Sequence, residues 1–313
     1  MDMSEERTVV VAVDGGGTKT DVAIARTDGT VLSRHRGPGC SQHEIGTDAA
    51  VAVIDDAVMT ALGRADVDSA AVRHAGCYLT AIDLPDEQEL MTHLLSRTPW
   101  GTRSVTVDND LFAMLRAGTE EPDAAVVVCG TGINGLAQRG DGTTARIVAL
   151  GRCSGDWGGG GGLVEEALWL AARAEDGRGE RTGLRDAVLR WTGATSIKDV
   201  AVAVHRNQTS TWEWRNRVPE IFELADSGDR VAIGLVEAQG TEIGVLASAL
   251  IARLDLTYSR IPLVLGGGVA TSGSAILMGA IEAVLSSRAP HAEVTVLTEE
   301  PIEGAIRLSL RAR

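Results

Sequence analysis

Thr8-Val-Val-Val-Ala-Val-Asp14-Gly15-Gly16-Gly17-Thr18-Lys19-Thr20-Asp21-Val-Ala-Ile-Ala25 is the stretch on which the fold turns. The β-branched run Thr8 to Val13 reads as a strand ending in Asp14. A glycine loop follows, and the alternating run Asp21 to Ala25 reads as a second strand. Asp28-Gly29 is a hairpin turn into a third strand, Val31 to Arg34. A Walker A loop needs Gly directly before its Lys and a helix after it, whereas here Thr18 precedes Lys19 and a strand follows. The dinucleotide fingerprint fails as well, because Thr20 stands three residues after Gly17 and no helix opens there.

The unit recurs. Ala124 to Cys129 reads as a buried strand, followed by the loop Gly130-Thr131-Gly132-Ile133-Asn134-Gly135, a short strand from Leu136, the turn Asp141-Gly142 and a third strand at Ala145 to Leu150. Two copies of strand, glycine loop, strand, Asp-Gly turn and strand imply two similarly folded domains whose glycine loops face each other across a cleft. A third loop, Gly266-Gly267-Gly268, follows the strand Ile261 to Leu265. Helical periodicity predicts helices at Asp48 to Leu62, Asp86 to Ser96, Leu111 to Ala117, Leu163 to Ala174, Leu184 to Thr192, Val218 to Ala225 and Arg230 to Leu254. Val294 to Leu297 reads as a strand, and a last helix runs from Ile302. Gly158 to Gly162 is the lowest-complexity stretch, and Glu175 to Arg181 reads as a surface loop.

The 313 residues suit about two domains. A balance of 29 Lys+Arg against 43 Asp+Glu, net −14, argues against nucleic acid as a partner. No apolar run approaches the length of about 18 residues that a membrane span needs, and the acidic N-terminus lacks an apolar signal core, so a cytoplasmic protein without membrane attachment is expected. Cys40, Cys77, Cys129 and Cys153 lie far apart with no C-x-x-C, against a zinc site or disulfide framework.

Three consecutive glycines after Asp14 are expected to take positive φ and turn N–H groups inward as an anion nest for phosphate, with the Thr18 hydroxyl as a further donor. Asp14 is placed to hold magnesium through its water shell. Lys19 either screens phosphate charge or is a solvated turn lysine. Gly130-Thr131-Gly132 is the second phosphate jaw, with Asn134 as an amide donor. Asp108 and Asp110 flank a strand-to-helix junction. An N-cap role accounts for one of them, and a kinase needs a carboxylate beside the attacking hydroxyl, for which Asp110 is preferred. Asp156 in Gly155-Asp156-Trp157 is placed to reach a polyol, and Ser41, Gln42 and His43 are candidates to line the same sugar site. Gly118 to Asp123 reads as an exposed hinge linker, with the return crossing at Thr298 to Pro301 and closure driven by the sugar.

Taken in order, Asp14 to Thr20, Asn109-Asp110, Gly130 to Asn134, Gly155-Asp156, Gly266 to Gly268 and Pro301 to Ala305 resemble the N-acetylglucosamine kinase branch of the BadF/BadG/BcrA/BcrD ATPase family, within the actin-like sugar-kinase superfamily. The resemblance implies two α/β ribonuclease-H-like domains around a nucleotide cleft: residues 1–118 with a C-terminal helix at 300–313, and residues 119–299. It implies ATP and Mg2+, with adenosine at Gly266 to Gly268, Asp110 as base, Thr131 near the substrate, Asp156 as a sugar ligand and a homodimer. Gln42 replaces the family's Asn, and Trp157 replaces its Glu. Both touch the sugar pocket, which fits a kinase of N-acetylglucosamine, glucosamine or a related hexose or cyclitol. Two other readings stay open. An activator ATPase would need cluster-binding cysteines, for which Cys129 and Cys153 are the candidates. A non-catalytic sugar or nucleotide sensor would be expected to lose its base.

Overall fold

The computed structural model describes residues 8–101 and 103–312. The chain divides into two compact units, one of Met1–Glu121 with Leu297–Arg313 and the other of Pro122–Val296. Each has its own hydrophobic core.

The first unit opens with an antiparallel meander, β1 (Val9–Gly15), β2 (Lys19–Arg26) and β3 (Val31–Pro38), in the register Val11↔Ile24 and Gly15↔Thr20. The chain continues through α1 (Gln42–Ile45), α2 (Thr47–Ala65), β4 (Val72–Leu79), α3 (Pro85–Leu95), β5 (Val105–Asn109) and α4 (Asp110–Gly118). β4 joins β1 in parallel and β5 joins β4, giving the order β3-β2-β1-β4-β5. Every residue of β1 is buried, because both sheet faces are covered, and this is why the strand reads as an unbroken apolar run. Its larger odd-numbered residues, Val9, Val11 and Val13, pack with Ile54, Val58 and Leu62 of α2. On the other face, Val10 and Ala12 meet Ile302, Ala305 and Ile306 from the chain's last helix.

The second unit repeats the plan. β6 (Ala124–Cys129), β7 (Ile133–Gln138) and β8 (Thr144–Arg146) form the meander. The helices α5 (Gly159–Glu175), α6 (Leu184–Thr192), α7 (Ile197–His205), α8 (Val218–Asp226) and α9 (Arg230–Arg253) follow, then β9 (Ile261–Gly266), α10 (Ala275–Arg288) and β10 (Ala292–Val296), before α11 (Pro301–Arg311) returns to the first unit. β9 lies parallel to β6 and β10 parallel to β9, so the order β10-β9-β6-β7-β8 matches that of the first sheet. The hairpin chemistry repeats too. Gly29 and Gly142 adopt φ of 92° and 90°, and Asp28 and Asp141 each accept the backbone N–H two residues on, from Thr30 and Thr143.

Several elements differ from the sequence reading. The strand expected at Ala145 to Leu150 stops at Arg146, and Leu150 is exposed. α9 is, among the described residues, the one helix long and apolar enough to cross a membrane, contrary to the expectation that no run approaches that length. Its Leu235, Val236, Ile243, Leu250 and Ile251 are buried in the second unit's core. The low-complexity stretch at Gly158 to Gly162 is the entry to α5, with Gly159 to Gly162 forming its first turn.

Candidate active site

Asp14 is the penultimate residue of β1 and Asp110 opens α4 in the same unit. Asp14 is 8% exposed, and its carboxyl is pushed up to about 7, first by burial and then by the charge of Asp110. The cap of α4 is neither aspartate but Asn109, whose side chain accepts the Leu111 N–H at 3.1 Å and donates to the Ile82 carbonyl and to Asp83. Asp108 accepts from Gln88 Nε2 at 2.7 Å. Asp110 therefore stands in the first helical turn with its cap duty taken by its neighbour, and its charge is felt by Asp14 and by Cys40.

The Asp14 loop is built differently from the expected nest. None of Gly15, Gly16 and Gly17 has positive φ. Glycine is required at position 15 for space, since a Cβ there would lie 2.5 Å from Cys40 Sγ and 2.6 Å from Leu79 Cδ2. The Gly16 N–H closes the turn onto the Lys19 carbonyl at 2.8 Å. Among the described residues, the N–H groups of exposed Gly17 and Thr18 have no partner, so these are the donors the hairpin offers an anion. Lys19, its side chain 37% exposed, is ion-paired with Asp21, which also takes Arg36. Burial pushes the Asp21 carboxyl up, but these two cations outweigh it and hold it low.

Of the sugar-loop candidates, Ser41 is buried and precedes α1. Gln42 donates to the carbonyl of Ala81 at 2.6 Å, and Ala81 itself sits at φ 59°. His43 Nε2 lies 2.6 Å from Glu87 Oε1, and the other oxygen of Glu87 accepts the N–H groups of Asp83 and Leu84 at the start of α3. Gln42 and His43 thus fasten α1 to the loop after β4 and to α3.

In the second unit, three glycine segments pack together. The N–H groups of Gly160 and Gly161 donate to the carbonyls of Gly130 and Thr131 at 2.7 and 3.0 Å. Gly159 has φ 70°, and a Cβ on it would lie 2.5 Å from the Gly132 Cα. Gly267, at φ 85°, presses on Cys129, whose carbonyl accepts from Val269 and Ala270. The start of α5 thereby shapes the Gly130–Gly132 loop. Beside these segments lies a recess of about 570 Å³ lined by Gly130, Thr131, Gly160 and Gly268, with Arg215, Asn216, Phe222 and Asp226 opposite. Gly266 is buried in β9, so Gly268 alone of its loop reaches the recess. Arg215, Asn216 and Phe222 carried no signal in the sequence. They come from an irregular turn and from α8, and no motif marks either.

Asn134 accepts the Gly135 N–H on β7. Asp156 accepts from Gly151 N–H at 2.8 Å and from the Ser154 hydroxyl, closing the turn that ends at Gly155, φ 89°. Trp157, where the sequence departs from the resemblance, packs on the core with its Nε1 buried and unpartnered. Cys129 is fully buried, and burial pushes its thiol up to about 12, the state of a core cysteine rather than a cluster ligand.

Two ribonuclease-H-like units, each with a glycine hairpin between its first two strands, define an actin-like ATPase fold. The chain belongs to the BadF/BadG/BcrA/BcrD ATPase family, whose profile matches residues 11–307. It is 26% identical to the N-acetyl-D-glucosamine kinase of Dictyostelium discoideum over 99% of this chain and all of that one. It is 24% identical to the N-acetylmuramic acid/N-acetylglucosamine kinase of Clostridium acetobutylicum, over 83% of this chain and 85% of the relative. Among solved structures, a Chromobacterium violaceum protein assigned as an N-acetylglucosamine kinase superposes with a TM-score of 0.75 at 22% identity, covering 97% and 99% of the two chains. A glucokinase from Streptomyces griseus, solved with glucose and AMPPNP, gives 0.57 at 19% identity, covering 97% of this chain and all of that one.

Proposed function

We propose that the protein is an ATP-dependent kinase that phosphorylates a hydroxyl of an amino sugar, N-acetylglucosamine or a close relative. The observation that carries this is the carboxylate pair. Asp14 and Asp110 lie in the same unit, and burial, followed by the charge of Asp110, pushes the Asp14 carboxyl up to about 7. That division of labour suits a kinase, with one carboxylate for the cation and one for the acceptor's proton.

Asp110 takes the proton of the attacking hydroxyl as the sugar oxygen bonds to the γ-phosphorus and the bond to the ADP oxygen breaks. Gly17 and Thr18 N–H groups and the Gly130–Gly132 loop serve the phosphates, and the 570 Å³ recess of the second unit takes the nucleoside. The buried carboxylate beside a second one fits magnesium, a hard cation that would lower Asp14 again. Held at Asp14 through water, magnesium would neutralise phosphate charge. Asp156 holds a sugar hydroxyl. A homodimer working in the cytoplasm belongs to the same proposal, and light scattering tests its first part. The kinase reading is tested by ATP consumption over N-acetylglucosamine, glucosamine, glucose and aminocyclitols. Sugar-dependent ADP release supports it, and ADP release indifferent to every sugar overturns it.

A further inference from the structure

We infer that Gln239 is a positioning residue of the phosphate loop: its buried side-chain amide caps α5 from α9 and so aims the N–H groups of Thr131 and Gly132 at the nucleotide; this rests on the kinase reading above.

Gln239 lies in the middle of α9, 0% exposed, among Leu235, Val236, Ile243 and Leu246, which are buried and apolar. An amide in such surroundings is kept at a cost, since a buried polar group must recover the hydrogen bonds it gave up to water. Gln239 recovers them only in part. Its Oε1 accepts the Gly159 N–H at 2.8 Å, whereas its Nε2 is buried and has no partner among the described residues. Ser248, the other buried polar side chain of α9, bonds within its own helix, to the Val245 carbonyl. The bond that Gln239 makes leads instead out of α9, to the start of α5.

The start of α5 needs that bond. Gly159 is its first residue, and the N–H groups of a first helical turn have no acceptor within the helix. The N-cap is Gly158, which has no side chain to supply one. Gln239 supplies it from another helix. The same amide closes on the backbone just ahead, because a Cβ on Gly158 would lie 2.5 Å from both Nε2 and Oε1. The next two donors, the N–H groups of Gly160 and Gly161, take the carbonyls of Gly130 and Thr131. Across a trans peptide the N–H points opposite to the carbonyl, so the N–H groups of Thr131 and Gly132 face away from α5. They are donors for phosphate oxygens, at the loop where the recess for the nucleoside begins. Their direction is set by α5, and the place of α5 is set by Gln239.

The test compares the wild type with Gln239→Met, apolar and of similar reach, and with Gln239→Glu, which is buried as the neutral acid and still turns a carbonyl to Gly159. Calorimetry with AMPPNP and steady-state kinetics with ATP and N-acetylglucosamine are the readouts. In Gln239→Met the AMPPNP Kd and the KM for ATP should both rise about tenfold, the scale of one lost hydrogen bond, while the KM for the sugar stays within about twofold. Gln239→Glu should keep most of the nucleotide affinity, and Ser248→Ala should leave it unchanged. Independently of any variant, AMPPNP should slow hydrogen exchange at the Gly159, Gly160 and Gly161 amides of the wild type. A Kd equal in wild type and Gln239→Met, a Gln239→Glu as weak as Gln239→Met, or exchange at these glycines indifferent to saturating AMPPNP overturns the positioning role and leaves the kinase standing. AMPPNP affinity lost in Gln239→Met and kept in Gln239→Glu, together with ADP release indifferent to every sugar, supports the positioning role and overturns the kinase. A wild type that binds no AMPPNP brings down both.

Discussion

At the scale of single residues, three neighbours have three different jobs: Asp108 is bound by Gln88, Asn109 caps α4, and Asp110 carries the charge that Asp14 feels. Asp110→Asn should therefore keep ATP and sugar binding while kcat falls by about two to four orders of magnitude. Asp108→Asn should cost far less. Steady-state kinetics with parallel calorimetry check this, and near-normal turnover in Asp110→Asn with a dead Asp108→Asn would reverse the assignment. Asp14 gives a second expectation, for protein stripped of metal with chelator. Its carboxyl rises from 3.8 to about 7 on folding. Below both values it is protonated in folded and unfolded chains alike. Between them the folded protein keeps a proton that the unfolded chain releases, so stability falls as pH rises through this window and the full penalty stands above it. Asp14→Asn should accordingly raise Tm at about pH 8 and lose that advantage near pH 4. An equal gain at both pH values would show that burial and Asp110 do not act on this carboxyl.

At the scale of elements, the start of α5 holds the Gly130–Gly132 loop by two hydrogen bonds and a close backbone approach. Gly159→Ala places a Cβ inside Gly132 at a backbone angle that alanine resists, so nucleotide affinity should drop at least about tenfold. Gly162→Ala, three residues on, meets only ordinary contact with Trp157 at 3.5 Å and should stabilise the protein by about 0.5–1 kcal/mol, as Gly→Ala in a helix does. Calorimetric nucleotide titration and urea unfolding separate the two, and equal effects would reject the shaping role of the helix start. The sequence reading took these glycines for a low-complexity stretch, because a helix whose first turn is all glycine has no periodicity to read. The meanders were legible for the opposite reason: strands buried on both faces and Asp-Gly turns leave local marks. β4 was not legible, since Gly76 interrupts it so that Ser309 of α11 can approach, a demand set far away in the chain. At the site, Asp14, Asp110 and the glycine loops were readable as chemistry. The Asn109 cap, the Gln42 and His43 tethers and the Arg215–Phe222 wall depend on tertiary contacts.

At the scale of the whole molecule, the chain leaves the first unit after Glu121, builds all of the second, and returns at Leu297 to supply α11. The first unit is therefore unfinished until the last residues arrive, because Val10, Ala12, Ala23, Ala25 and Tyr78 are covered by Ile302, Ala305 and Ile306. The fit is close at Gly304, where a Cβ would fall 1.9 Å from the Ala113 carbonyl of α4. Gly304→Val must push α11 off α4, and overpacking at such a contact costs about 1–3 kcal/mol or more. The second unit's core shares no residue with this packing. Scanning calorimetry of Gly304→Val should therefore resolve two transitions, an early one from the first unit and a later one near the wild-type Tm. AMPPNP should raise the later transition, because the recess proposed for the nucleoside is built wholly from residues of the second unit. A single transition displaced as a whole would mean that the two units unfold together and that damage to α11 spreads to the second core.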